Sequence, residues 1–363
     1  MKVLVPKKSL ADTLAHVERI VPTRSSNPGL SLVRLDLGDG AVEITGSNMD
    51  IDIRARFPAD VRGSESRAVT AHLFAQVVRV LPAEDVELEF GESELHIASG
   101  NYTTKLQLVS AASAPKLSFP NTHSGQIDAA SLGRTLSSVK YAAAVADYQA
   151  VFRGVKLELK DGKTRAVATD GFRLAYYDLD LSTGLAADLI VPARSVDELV
   201  KVLGDGDVKL ALSEGQLSVE HGDYALNLKL MDGVFPDYER VIPQAFPVSI
   251  SLSAPRLAEA VSRVALMADK SANNRVDLFI KDGVLTITAE GSFGRSQEEI
   301  AVSQEGTDSE IALAYNAKYL MDALGPVGGE VRLSFSGSSS SPSVVTDLAD
   351  ASYLAMVVPL RTG

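Results

Sequence analysis

The chain has 363 residues, 45% of them hydrophobic, and a formal net charge of −12. That is enough apolar material for two or three buried cores, while the absence of cysteine excludes a disulfide framework, thiolate metal ligands and a cysteine nucleophile. No apolar run reaches the roughly 18 residues of a membrane span, and the opening MKVLVPKKSLADT lacks the apolar stretch of a signal peptide, so a soluble cytoplasmic protein with no membrane partner is expected.

In chain order, a first strand leads into a helix predicted over 8–20, whose Leu10, Leu14 and Val17 form one apolar stripe. Residues 33–46, VRLDLGDGAVEITG, read as strand, Asp-Gly turn, strand. A second helix over 71–81 carries Phe74, Val77, Val78 and Leu81, and 86–90 with 94–98 read as a hairpin. The same order then returns. A helix over 129–142 bears Leu132, Leu136 and Val139; the stretch 155–171 reads VKLELKDGKTRAVATDG; a helix over 193–203 bears Val196, Leu199, Val200 and Leu203; and 208–212 pairs with 216–220. It returns once more as a helix over 254–270 with Leu257, Val261 and Val264, then VDLFIKDGVLTITAEG at 276–291, a helix over 316–324 with Leu320, Met321 and Leu324, and a hairpin of 331–335 with 342–347 around a Ser-rich turn.

The three Asp-Gly pairs end at Gly40, Gly162 and Gly283, steps of 122 and 121 residues. A period that long is a whole domain used three times. The expected fold class is α+β, with antiparallel sheets and two helices packed on one face of each domain. Pro-, Asn- and Gln-rich stretches near 120–124 and 244–247 place the domains at 1–121, 122–246 and 247–363.

Charge is segregated by element. The six predicted helices hold eleven basic and seven acidic residues, so the acidic excess lies outside them. Opposite the apolar stripes of the first helices stand Lys8 and Arg19, Arg134, and Arg263 with Lys270; Lys140 lies near the end of the second of these. The second helices show His72 and Arg79, Arg194 and Lys201, and Lys318, interrupted like the others by acids such as Asp12, Glu198, Glu259 and Asp322. Two readings stand: solvated mixed-charge faces, or six faces turned to a polyanion held by sequence-blind phosphate contacts.

Enzyme signatures are missing. There is no GxxxxGK or GxGxxG loop, and His16, His72, His96, His123 and His221 lie far apart without metal-ligand spacing. Asp205 and Asp207 in GDGD read as a hairpin turn rather than a cation loop. No catalytic residue, metal or cofactor is expected. A scaffold that binds only peptides remains the alternative to a polyanion-binding protein.

Three segments add a resemblance. ATDGFRLA at 168–175, MDGVFPDYERVIP at 231–243 and the terminal MVVPLR at 356–361 resemble the bacterial sliding clamps, the beta subunits of DNA polymerase III, along the whole chain. The resemblance implies a head-to-tail homodimer of three-domain subunits. Six copies of one fold would close into a ring lined by helices, with double-stranded DNA threaded through it and no catalysis of its own. Arg24, in the loop after the first helix, matches a loop arginine that touches DNA, and Tyr148 with Gln149 occupy the corresponding loop of the second repeat. The other implied DNA-facing cations are those on the helix faces.

The resemblance further implies a hydrophobic groove between the second and third domains. It would capture short motifs, a Gln followed by Leu and ending in Leu-Phe, from the DNA polymerase III alpha subunit, clamp-loader subunits, other polymerases and repair proteins. Its matching positions are Thr169, Gly171, Phe172, Arg173, Leu174, Pro236, Arg240, Val241, Asn316, Tyr319, Ser340, Pro342, Met356, Val357, Val358, Pro359, Leu360 and Arg361. Phe172 stands where family members often carry His, which makes the rim more apolar. The implied dimer seam joins Phe74, Lys105 and Leu106 to Leu266, Met267, Glu298 and Glu299, with Lys105 facing Glu298 or Glu299.

Overall fold

The structure, a computed structural model, describes residues 1–146, 150–160, 162–338 and 341–361. Its helices are α1 (Lys7–Ile20), α2 (Ala71–Arg79), α3 (Ala129–Val139), α4 (Ala193–Val202), α5 (Ala254–Val264) and α6 (Ala317–Leu324). The apolar stripes read from the sequence are buried: Leu10, Leu14 and Val17; Leu132, Leu136 and Val139; Leu257, Val261 and Val264. Each such side chain contributes roughly 1.5–3 kcal/mol when fully buried, so these stripes fix the helices more firmly than local propensity does.

Two compact units divide the chain. The first comprises Met1–Leu132, Thr183–Leu185 and Arg194–Leu230. It holds a four-stranded sheet in the order Lys2–Pro6, Asp85–Phe90, Glu94–Ser99, Tyr102–Gln107. It also holds a nine-stranded sheet in the order Gly125–Asp128, Asp207–Ser213, Gln216–His221, Tyr224–Lys229, Ile51–Pro58, Ala41–Ser47, Leu32–Gly38, Glu65–Thr70, Val109–Ser110. Helices α1 and α2 pack on each other, and α1 lies on the strands Ala41–Ser47 and Ile51–Pro58.

The second unit comprises Gly133–Ser182, Ala186–Ala193 and Met231–Gly363. Its nine-stranded sheet runs Ala187–Pro192, Gly154–Lys160, Lys163–Thr169, Arg173–Leu179, Tyr353–Val357, Ser343–Asp347, Glu330–Phe335, Val248–Ser253, Ser303–Gly306. Its four-stranded sheet runs Gly294–Ala301, Val284–Gly291, Arg275–Lys281, Glu310–Asn316. Helices α5 and α6 pack together within it.

The three sequence repeats and the two compact units differ for a topological reason. The first and third repeats each build a four-stranded sheet and five strands of a nine-stranded one, and the middle repeat builds two four-strand groups and gives one to each nine-stranded sheet. Two antiparallel junctions make the fusion. Tyr224–Lys229 pairs with Ile51–Pro58, setting Tyr224 opposite Ala55 and Leu228 opposite Ile51. Arg173–Leu179 pairs with Tyr353–Val357, setting Tyr177 opposite Tyr353 and Arg173 opposite Val357. The corresponding strands at the ends of the array, Tyr102–Gln107 and Gly294–Ala301, are edges with a partner on one side only among the described residues.

One predicted helix is too long. Residues 254–270 do not form one helix: α5 stops at Val264, Ala265–Met267 form a 3-10 turn, and Ala268 is extended. Asp269 explains the stop. Its carboxylate accepts hydrogen bonds from the Ser292 backbone and hydroxyl at 3.1 and 3.0 Å, which draws the chain onto the turn after Val284–Gly291. A Cβ at Gly291 would meet the Met267 carbonyl at 2.3 Å, so only glycine permits that approach. No helix among the described residues is long and apolar enough to cross a membrane.

Candidate functional site

The turn at 169–173 is built by its own side chains. Thr169 Oγ1 accepts from the Gly171 amide at 3.1 Å and donates to the Arg173 carbonyl at 2.7 Å. Asp170 Oδ1 accepts from the amides of Phe172 and Arg173 at 2.9 and 3.0 Å. Gly171 takes a φ of 88°, which an L side chain adopts only with strain. The result holds Phe172 outward, 57% exposed, while Arg173 turns inward and is 6% exposed.

Arg173 is a hub rather than a rim residue. Its Nε donates to Asp170 Oδ2 at 2.9 Å and a terminal nitrogen to Asp322 Oδ2 at 2.5 Å. Its guanidinium lies 4.3 Å from the Tyr319 ring centroid and 5.7 Å from that of Tyr141. Two carboxylates and two aromatic faces replace the water a buried cation would lose. Tyr141 and Tyr353 share a hydroxyl contact of 2.8 Å, and Tyr353 donates to the Ala323 carbonyl at 2.7 Å. Burial pushes both phenols above their ordinary range and keeps them neutral.

The other residues assigned to the groove divide into floor, rim and support. Leu174 and Met356 belong to a buried apolar cluster with Val167, Ile190, Phe235 and Tyr238. Val357 and Pro359 are also buried, so these positions form floor rather than contact surface. The Val358 amide donates to the Phe172 carbonyl at 2.9 Å and the Leu360 amide to Ala314 at 2.7 Å, which ties the terminal segment to the turn and to the strand Glu310–Asn316. Asn316 caps α6, accepting from Lys318 and Tyr319. Pro236, Arg240, Val241 and Arg361 are exposed, with Arg240 paired to Asp237 at 2.6 Å, and Pro342 is half-buried. Ser340 lies outside the described residues, as do Tyr148 and Gln149.

Beside this surface lies a concavity of about 640 Å³ on the outer face of the strands Gly154–Lys160 and Lys163–Thr169, walled by residues 234–239. Its inner wall is a closed network. Lys156 pairs with Glu158 at 2.5 Å, and the Tyr238 hydroxyl donates to Glu158 at 3.0 Å. Arg165 binds Asp178 through two nitrogens and Glu239 at 2.7 Å. Burial pushes the Glu158 carboxyl up, but Lys156 and Tyr238 outweigh it and hold the group below its ordinary range.

The helix cations fall into two sets. Arg79 is paired with Glu18, Arg134 with Asp350 at 2.9 Å, Lys201 with Glu198 at 2.8 Å, Arg263 with Glu298 at 2.7 Å and Lys318 with Asp322 at 2.6 Å. Lys8, Arg19, Arg24, Arg194 and Lys270 are exposed and form no ion pair among the described residues. Lys140 is half-buried in the 3-10 turn after α3. Sequence counts registered the basic excess but missed that half of these cations already have acids beside them.

The implied seam residues are also redistributed. Phe74 is 0% exposed and is a core residue of its own chain, which corrects its assignment as a contact. Leu106 is buried against Leu95 across its hairpin, while Leu266 is 78% exposed and Met267 half-buried. Lys105 pairs with Glu94 at 3.0 Å and Glu298 with Arg263, so neither is a free charge awaiting the other; Glu299 is exposed. Sequence reading missed Asp170, Tyr141 and Tyr353, and took Asp322 only as an acid on a helix face. Only Asp170 had a local signal, its place inside the TDG motif.

Comparison with known proteins agrees along the whole length. Family models for the DNA polymerase III beta subunit match in series: the N-terminal domain at residues 1–118, the central domain at 126–237 and the C-terminal domain at 239–361. The beta sliding clamp of Caulobacter vibrioides is 29% identical over 375 residues, covering 99% of this chain and 100% of that one. Crystal structures of the Bacillus subtilis sliding clamp and of the Pseudomonas aeruginosa clamp bound to griselimycin superpose with TM-scores of 0.92 and 0.91 at 26% and 27% identity, each covering 100% of both chains. With three repeats, their sheets and their helices all accounted for in this way, the chain belongs to the DNA polymerase III beta subunit family, the bacterial DNA sliding clamps.

Proposed function

We propose that two copies of this chain close head to tail into a ring around duplex DNA, and that the ring tethers replication and repair proteins through the surface around Phe172. The observation that carries this reading is the strand inventory. Both internal junctions join the same two repeat positions, and the unpaired copies of those positions are Tyr102–Gln107 and Gly294–Ala301. A second copy supplies each with its missing neighbour, and a heterologous contact of this kind closes when its rotation fits. The repeat offsets of 122 and 243 residues carry the register of the first junction to this seam. Tyr102 then faces Glu298, Thr103 faces Gln297, Lys105 faces Arg295 and Leu106 faces Gly294. This register sets Lys105 opposite Arg295 instead of the Glu298 or Glu299 that the resemblance implies.

The ring is a non-catalytic, cytoplasmic processivity factor whose domains span 1–121, 122–246 and 247–363. Its hold on DNA is topological, so weak phosphate contacts from Lys8, Arg19, Arg24, Arg194 and Lys270 suffice and do not arrest sliding. Phe172, Val241 and Pro236 offer apolar contacts, with Arg240 and Arg361 as polar fixers, to peptide motifs of the polymerase alpha subunit, clamp-loader subunits and other polymerases and repair proteins.

The test loads the protein onto nicked circular DNA with a clamp loader and then linearises the DNA. Release on linearisation is expected; retention overturns the topological reading. For the groove, Phe172→Ala is expected to weaken binding of a Leu-Phe-ending peptide by about tenfold with an unchanged thermal midpoint. Unchanged affinity would remove the groove assignment.

A further inference from the structure

We propose that the concavity beside the Phe172 surface is an extension of the peptide site that takes an acidic residue flanking the bound motif; this rests on the groove reading above. Three observations place it. Pro236, one of the groove positions, lines the cavity, and the cavity residues Phe235 and Tyr238 belong to the same apolar cluster as Leu174 and Met356. A peptide crossing the exposed Pro236 therefore meets the cavity.

The second observation is charge. The acids of the cavity wall are already committed: Glu158 to Lys156, Asp178 and Glu239 to Arg165, and Asp237 to Arg240. Lys160 has no ion pair among the described residues, and Lys163 pairs only with the exposed Asp180 at 2.9 Å. The third is register. Lys160 stands directly opposite Lys163 across the hairpin, an arrangement of like charges that destabilises a sheet. A carboxylate bound between them relieves that repulsion, so the site selects an anion. The rim residue Val234 is 90% exposed and the floor residue Phe235 is buried, which gives an aliphatic neighbour of that acid a place to lie.

The experiment measures fluorescence anisotropy of a synthetic peptide ending its motif in Leu-Phe, and of the same peptide with two aspartates added at one end or the other. The probes are titrated with the parent protein and with Lys160→Glu. One extended peptide is expected to bind the parent about threefold to tenfold tighter than the unextended one. This gain is expected to shrink with added salt and to vanish in Lys160→Glu, while the unextended peptide binds both proteins equally. Lys160→Glu faces Lys163 with an opposite charge, so its thermal midpoint is expected to match or exceed the parent's. Failure of both extensions to tighten binding overturns the proposal, as does a gain that survives Lys160→Glu. Failure of the unextended peptide to bind at all overturns the groove reading itself, and the extension with it.

Discussion

The same turn occurs twice in this chain, at 47–51 and at 169–173, and the proposed peptide site is built on only the second. In the first, Ser47 Oγ accepts from the Met49 amide at 2.9 Å and Asn48 Oδ1 from the amides of Asp50 and Ile51 at 3.0 and 2.8 Å. In the second, Thr169 and Asp170 do the same work one repeat later. Met49 and Gly171 both take positive φ, 76° and 88°. Even the junction is repeated: the Lys229 amide donates to the Asp50 carbonyl and the Val358 amide to the Phe172 carbonyl, each at 2.9 Å. What differs is the fifth residue. Ile51 is an ordinary core side chain, whereas Arg173 is a buried cation that needs Asp170, Asp322, Tyr319 and Tyr141 around it. The backbone scaffold is common property of the repeats, and one charged residue with its retinue distinguishes the site.

The largest expected effect breaks that retinue. Arg173→Ala leaves Asp170 and Asp322 without their shared cation and should cost roughly 3–5 kcal/mol in urea unfolding, the usual result of stripping one partner from a buried pair. The double change Asp170→Asn with Arg173→Ile installs the first repeat's own solution. It should restore stability close to the parent, since a buried pair replaced by apolar groups is often neutral. Peptide binding should be lost in both variants, because Tyr319 no longer has a guanidinium to stack against. A double variant as unstable as Arg173→Ala would show that the two turns are not equivalent scaffolds.

This contrast also explains what the sequence could and could not reveal. Periodicity announced the repeats, and every predicted stripe on the first helices is buried, because apolar spacing directly encodes which face meets a sheet. The pairing of a strand in one repeat with a strand in another leaves no such trace; YTTKLQ at Tyr102–Gln107 is more polar than YALNLK at Tyr224–Lys229, but neither composition names the strand it pairs with. Arg173 could be flagged from its motif, but its burial depends on Asp322, 149 residues away. Phe74 enters the seam only through the resemblance, and its burial in its own chain depends on packing that a motif does not encode. The helix over 254–270 ran too far because Ala265, Leu266 and Met267 continue a helical pattern that the Asp269–Ser292 tether overrides.

A smaller effect separates the junctions within the chain from the edges proposed to meet a second copy. If the seam copies the register of Tyr224 opposite Ala55, then Thr103→Glu with Gln297→Glu sets like charges face to face at two symmetric seams. The dimer should weaken by about tenfold in analytical ultracentrifugation, and Thr103→Lys with Gln297→Glu should recover it. Arg295→Glu, which removes a cation from opposite Lys105, should tighten the dimer by a smaller factor of about two to three. Equal dimer affinity across all three variants would mean that the seam does not follow the repeat register.

The smallest effect compares the two units through a carboxylate they hold in common. Asp36 and Glu158 are 122 residues apart and occupy the same repeat position, the first bonded by Arg34 and Ser66, the second by Lys156 and Tyr238. Burial pushes each carboxyl up, and its partners outweigh burial, so both are held below their ordinary range in the folded chain. The unfolded chain therefore binds more protons in acid. The stability these groups contribute is complete above the unfolded carboxyl values, about pH 4, and is lost as pH falls through them toward the lower folded values. Lys156→Met removes the main opposing influence and leaves Tyr238 as the remaining bonded partner against burial, which should move the folded Glu158 value back toward the unfolded one and flatten the slope. That variant should be less stable than the parent at neutral pH and lose less between about pH 6 and pH 3.5, read as urea midpoints. Arg34→Met should shift the slope in the same direction, with Ser66 still donating to Asp36 as Tyr238 does to Glu158. A parent slope unchanged by both variants would mean that these paired carboxyls, alike in the two units, contribute nothing to acid sensitivity.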